Sequence, residues 1–185
     1  MPRAVEPFLF PSIYSFPPFF TRQLNETTWS TQKSHWITLI LGYFRYHRRW
    51  RIDLNINELN DDELFHNKAI NRKLKVEVLK EIIDDMVKQR SAEYVNSKKH
   101  GAWVYWRTPE EWADYLANWI DATGQKGAVL TMFELSQGEL VVGSELEGIE
   151  PVILRKALEV LGKRGLAQLL KSADSETGVK FFAGT

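Results

Sequence analysis

Two helical segments 75 positions apart carry the same pattern of apolar residues, and this repeat constrains the fold more than any other feature. Residues 78–86 (Val-Leu-Lys-Glu-Ile-Ile-Asp-Asp-Met) fall on residues 153–161 (Ile-Leu-Arg-Lys-Ala-Leu-Glu-Val-Leu). Leu79, Ile82, Ile83 and Met86 then match Leu154, Ala157, Leu158 and Leu161. That is the i, i+3, i+4, i+7 stripe by which a helix turns one face to a core. Lys88 and Ala92 recur as Lys163 and Ala167. Behind each helix come a short strand (93–95 or 167–170), a polar loop (96–101 or 171–178) and a closing strand (102–106 or 179–182). A helix packed on a two-stranded hairpin is predicted twice.

The upstream segments extend the parallel. Residues 30–47 place Trp36, Ile40, Tyr43, Phe44 and His47 on one helix face; a β-prone stretch follows at 50–52, and a short helix is predicted over 63–70. In the second half, 109–123 turns Trp112, Leu116, Trp119 and Ile120 inward and ends at Gly124, suited to a left-handed C-cap. Val129-Leu130 reads as a short strand, Thr131 caps a short helix through Leu135, and Glu150-Pro151 opens the repeated helix. The seam lies at Thr108-Pro109-Glu110-Glu111: a capping hydroxyl, a proline with no N–H to satisfy, and two acids at the positive helix end. Each half thus has winged-helix order. The chain is predicted to be α+β: two tandem winged-helix domains (28–107 and 108–185), each a three-helix core with a short β-hairpin wing, behind an N-terminal extension (1–27).

Charge divides at the same seam. Residues 1–108 carry 17 Lys/Arg against 12 Asp/Glu, and residues 109–185 carry 7 against 12, so opposite surfaces cancel in the total. An apolar fraction of 44% is ample for packed cores and excludes a disordered or collagen-like chain. The absence of cysteine removes disulfide and thiolate-zinc chemistry. The longest apolar run, 36–44, is too short for a bilayer span, and Pro7 and Pro11 interrupt what would be a signal-peptide core. A soluble intracellular chain is expected.

Catalysis finds little support. His35, His47, His66 and His100 have no metal-ligand spacing, and the glycines of 124–127 and 162–165 lack a phosphate-loop setting. Neighbouring acids such as Asp84-Asp85 diverge around a helix. No enzyme activity, cofactor or metal is expected. Nucleic-acid binding is the alternative, because winged helices place their third helix in a major groove. Here that helix interleaves Lys75, Lys80 and Lys88 with Glu77, Glu81, Asp84 and Asp85, which opposes phosphate binding. The basic run Arg45–Arg51 reads first as a solvated helix end.

The start of the chain, Tyr14-Ser-Phe-Pro-Pro-Phe-Phe20, is not a helix signal. Two prolines favour polyproline II, and Phe16, Phe19 and Phe20 must cover this chain's own core or fill a partner's groove. Pairing between copies of the chain is a further reading of the same motif.

With its helix–hairpin repeats, this sequence resembles the small-subunit family of the ESCRT-II endosomal sorting complex (the vacuolar protein sorting protein 25 family). The likeness rests on residues 14–23, on Trp106-Arg-Thr-Pro-Glu-Glu-Trp112, on Phe133-Glu-Leu-Ser136 and on Gly178-Val-Lys-Phe-Phe182; residues 1–11 and a three-residue tail lie outside it. The resemblance implies a non-enzymatic adaptor for sorting ubiquitinated cargo into multivesicular bodies, cytoplasmic and recruited to the endosomal membrane. Two copies would be held by two larger winged-helix subunits, docking through Phe16, Pro17, Pro18, Phe19 and Phe20. The second winged helix would recruit an ESCRT-III subunit by its N-terminal helix, through Val129, Leu130, Thr131, Phe133 and Lys180. Those apolar residues read equally well as core. No nucleic acid is implied, and membrane contact only indirectly. The acidic second half would attract a basic helix.

Overall fold

The computed structural model describes residues 6–171 and 177–183, so most of the second polar loop expected at 171–178 lies outside the described residues. The chain divides into two compact units, Met1–Trp106 and Arg107–Thr185. In the first, Asn25 accepts a hydrogen bond from the Thr28 N–H and starts α1 (Glu26–His47) a turn earlier than the apolar stripe alone indicates. The chain continues through β1 (Arg51–Asp53), α2 (Ile56–Asp61), the short hairpin β2 (His66–Asn67) and β3 (Arg72–Lys73), α3 (Val76–Lys88), β4 (Ala92–Tyr94) and β5 (Gly101–Val104). The sheet is antiparallel in the order β1-β5-β4, with Ile52 opposite Ala102 and Glu93 opposite Trp103.

The helix expected over 63–70 is not there. Asp62 closes α2 instead: its carboxylate accepts the Leu64 N–H and its carbonyl accepts the His66 N–H. Leu64 and Phe65 then drop into the core as a turn rather than as a helix stripe.

Apart from the β2–β3 hairpin, which has no counterpart among its described residues, the second unit repeats the order of elements: α4 (Pro109–Ala122), β6 (Val129–Thr131), α5 (Glu134–Gln137), α6 (Pro151–Lys163), β7 (Ala167–Lys171) and β8 (Thr177–Phe181). Its sheet order, β6-β8-β7, is that of the first unit. The repeated stripe is buried in both copies: Leu79, Ile82, Ile83 and Met86 in α3, Leu154, Ala157, Leu158 and Leu161 in α6. At the seam Thr108 and Glu111 form a reciprocal capping box, the Glu111 N–H donating to the Thr108 hydroxyl at 3.2 Å and the Thr108 N–H to the Glu111 carboxylate at 2.7 Å. Trp112, Leu116 and Ile120 are buried as expected, but Trp119 is half-exposed and Ala113 takes the fourth core position.

Candidate docking surfaces

Residues 12–20 form two successive single-turn 3₁₀ helices, Ser12–Ser15 and Pro17–Phe20. The backbone is therefore not polyproline II across the Pro-Pro pair. The proline ring sets φ, which the two conformations share; ψ is set here by the Phe19 N–H donating to the Phe16 carbonyl (2.9 Å) and the Thr21 N–H to that of Pro18 (3.1 Å). Pro17 and Pro18 take the first helical positions, where no N–H is needed.

This geometry splits the motif. Phe19 and Phe20 are buried in this chain's own core, whereas Phe16 is 56% exposed and Pro17 and Pro18 face solvent. The Phe19 ring stacks on Trp36 at 4.2 Å, and Phe20 meets the same indole edge-on at 5.4 Å. Gln32 and Trp36, one turn apart on α1, hold the backbone. The Gln32 amide donates to the carbonyls of Phe19 (2.6 Å), Thr21 (3.0 Å) and Pro18 (3.2 Å), and the Trp36 indole N–H to that of Phe19 (2.9 Å). Downstream, Arg22 donates to both Glu81 carboxylate oxygens at 3.0–3.1 Å, and the Trp29 indole N–H reaches the same group. That hydrogen bond and its charge raise the Arg22 pKa above its ordinary value.

Upstream, the Tyr14 hydroxyl donates to the Glu63 carbonyl and the Asn67 amide donates to the Tyr14 carbonyl. Burial first, then the charges of Glu63 and Asp62, push the Tyr14 phenol up to about 12. Phe8 and Phe10 continue the strap, Phe8 packing against Tyr43 and Tyr46 and Phe10 stacking on Tyr14 at 4.0 Å. Between strap and α1 runs an open apolar groove of about 540 Å³, lined by Ile13, Phe16, Pro18, Thr28, Thr31 and His35. A second hollow of about 390 Å³, lined by Phe8, Pro11 and Leu39, shares Ile13 and His35 with it.

Sequence reasoning missed Gln32, Arg22 and Ile13. A signal was present for the first, since Gln32 lies one turn before Trp36 on the apolar face, where an unpaired amide has no place.

The five residues singled out in the second unit also divide. Val129 (55% exposed) and Phe133 (58%) project outward, and Val129 lies opposite Lys180 in the β6–β8 register. Strand alternation sends Leu130 into the core. Thr131 is half-exposed with its hydroxyl engaged: it accepts the Glu134 N–H at 3.1 Å, while Glu134 accepts the Thr131 N–H at 2.7 Å, a capping box that starts α5. Lys180 lies over the partly exposed Phe182 ring.

On α3 the carboxylates of Glu81, Asp84 and Asp85 are engaged. Asp84 accepts from Tyr94 and Lys99, and Asp85 pairs with Lys33 and Lys88. Partial burial alone would raise the Asp84 pKa; the hydrogen bonds from Lys99 and Tyr94 outweigh it and bring it below the ordinary carboxylate value. Among the described residues, no cluster of three or more His, Asp or Glu could hold a metal ion, and no helix is long and apolar enough to cross a membrane.

The family model for ESCRT-II complex subunits matches residues 13–150. The vacuolar protein-sorting-associated protein 25 of Schizosaccharomyces pombe is 40% identical over 168 residues, covering 90% of this chain and 93% of that protein. The human protein of the same name is 33% identical over 175 residues, covering 95% and 98%. A crystal structure of subunit VPS25 of ESCRT-II superposes with a TM-score of 0.83 at 27% identity, covering 92% of this chain and 97% of that one. A chain in a crystal structure of the endosomal complex ESCRT-II (VPS22/VPS25/VPS36) gives 0.78 at 28% identity, covering 93% and 98%. The chain belongs to the ESCRT-II complex subunit family, in the branch formed by the vacuolar protein-sorting-associated protein 25 chains.

Proposed function

We propose that this chain is a non-enzymatic adaptor of two tandem winged helices, held in ESCRT-II by the counterparts of VPS22 and VPS36 and presenting its second unit to an ESCRT-III subunit. Two copies per complex would join cargo sorting into multivesicular bodies, recruited from the cytoplasm to the endosomal membrane. The observation that carries the reading is the split motif: Phe19 and Phe20 rivet the strap to α1, leaving Phe16, Pro17 and Pro18 presented outward beside an apolar groove. A rigid turn that displays proline and phenylalanine loses little conformational entropy on docking. In the second unit, exposed Val129, Phe133 and Lys180 support the ESCRT-III face. Leu130 and Thr131 support it from behind rather than by contact.

The nucleic-acid alternative is not favoured. Glu77 is exposed on α3 and would oppose phosphates, and the nearby cations Lys33, Lys88 and Lys99 are already paired with Asp84 and Asp85. The test is a pull-down from native extract with the full chain and a Phe16→Ala/Pro18→Ala variant. Wild type is expected to bring down the two larger subunits and the folded variant to lose them. Equal recovery by both would overturn the docking role of the motif. Recovery of nucleic acid in their place would restore the alternative.

A further inference from the structure

Among the described residues, the second unit exposes Val129, Phe133, Leu140, Val142 and Phe182. Leu140 (52% exposed) and Val142 (68%) lie outside the face assigned above, on the segment that follows α5. Their exposure is built in. Val141 between them is fully buried, and Leu146 and Ile149 anchor the same segment in the core. The Gly148 N–H donates to the Ser136 carbonyl (2.7 Å), the Gly143 N–H to Glu147 (2.7 Å) and the Glu145 N–H to the Tyr115 hydroxyl (3.0 Å). A loop pinned this way cannot fold its two apolar side chains inward, and apolar side chains displayed on a fixed frame mark interaction surfaces.

The segment's own charge is of one sign, and Glu145 within it pairs with Arg107 at 3.7 Å. Residues 134–150 contain five glutamates and no lysine or arginine. An anionic membrane would be repelled by that rim. A second copy meeting the same patch across a two-fold axis would set glutamate against glutamate. A segment with an apolar stripe flanked by cations fits both the apolar pair and the rim.

We propose that Leu140 and Val142, rimmed by Glu139 and Glu147, form a second half of the helix-binding face and take the apolar side of a basic amphipathic helix. This rests on the reading of the second unit as the ESCRT-III-binding unit. The experiment measures fluorescence anisotropy of a labelled synthetic peptide, the N-terminal helix of an ESCRT-III subunit, titrated with the full-length chain. Two variants are compared with wild type: Leu140→Ser/Val142→Ser and Val129→Ser/Phe133→Ser. Each is expected to weaken binding by about tenfold, the range in which truncated interface anchors act. Thermal stability is the control, and the first pair should leave it unchanged because both side chains are exposed. Weakening by the second pair alone overturns the inference and leaves the functional reading standing. Weakening by neither overturns both. Sedimentation velocity on the same proteins adds a further outcome: a dimer lost only in the Leu140/Val142 variant would make the patch a self-interface and overturn the inference.

Discussion

Gln32 is buried among rings, and its amide nitrogen faces the carbonyls of Pro18, Phe19 and Thr21. Two substitutions separate the donor role from mere filling of space. Gln32→Leu removes the donor, but Gln23 still serves Pro18 and Thr21, and Trp36 still serves Phe19, so a loss of about 1–2 kcal/mol is expected. Gln32→Glu sets a carboxylate against three carbonyls and should cost more than the leucine. Urea midpoints of the two variants check the order, and an equal or inverted order would show that the amide only fills space. Tyr14 gives a pH test. Its folded pKa is raised, so the unfolded chain loses this proton near pH 10 while the folded chain keeps it to about 12. Stability held by the neutral phenol is therefore complete below pH 10 and lost as pH rises through that window. Tyr14→Phe should be less stable than wild type at pH 7, by about 1 kcal/mol for its hydrogen bond to Glu63, and should fall less steeply between pH 10 and 12. Circular-dichroism melts across that range would reject the assignment if both proteins fell in parallel.

Elements with local punctuation were legible in the sequence, and those defined by long-range packing were not. Thr108-Pro109-Glu110-Glu111 is a complete start signal, and α4 begins there with its capping box formed. The repeated stripes of α3 and α6 were equally plain, because each runs long enough to show a period of 3.6. By contrast α2 has six residues and buries only Leu59, so no stripe can declare it. The nearby apolar residues Leu64, Phe65 and Ile70 suggested a helix in the wrong place. In the strap, proline fixed φ but left ψ open; the turn's own i→i+3 bonds set ψ, and the N–H donors that hold its carbonyls come from Gln32 and Trp36 on α1, out of reach of any local pattern. At the candidate site the residue types were legible and their directions were not, since inward Phe19 and outward Phe16 differ only in tertiary setting. The short α5 supplies the element-scale test. Thr131 caps it, so Thr131→Ala should cost about 1 kcal/mol and weaken helix binding through displacement of Phe133, while Thr131→Ser should preserve both. Tm and peptide affinity measured together check this; affinity lost with Tm unchanged would instead make the Thr131 side chain a direct contact.

At the scale of the whole molecule, two units with separate cores carry the two proposed surfaces, and their charge is opposite in sign. The Pro-Pro-aromatic surface is apolar, so its binding should change little with salt; the second surface includes the glutamate-rich segment 134–150, so its affinity for a basic helix should fall as salt shortens the screening length. Effects of substitutions at sites that do not interact add within about 0.5 kcal/mol. A double-mutant cycle tests this directly. One arm is Phe16→Ala/Pro18→Ala, the other Val129→Ser/Phe133→Ser, and both binding reactions are measured for all four proteins. The first arm should abolish assembly with the larger subunits and leave peptide affinity within about twofold. The second should do the reverse, and the combined variant should show the sum of the two. A coupling above about 1 kcal/mol would mean that occupancy of the strap alters the second unit, and the adaptor would then be a relay between its two partners rather than a passive bridge.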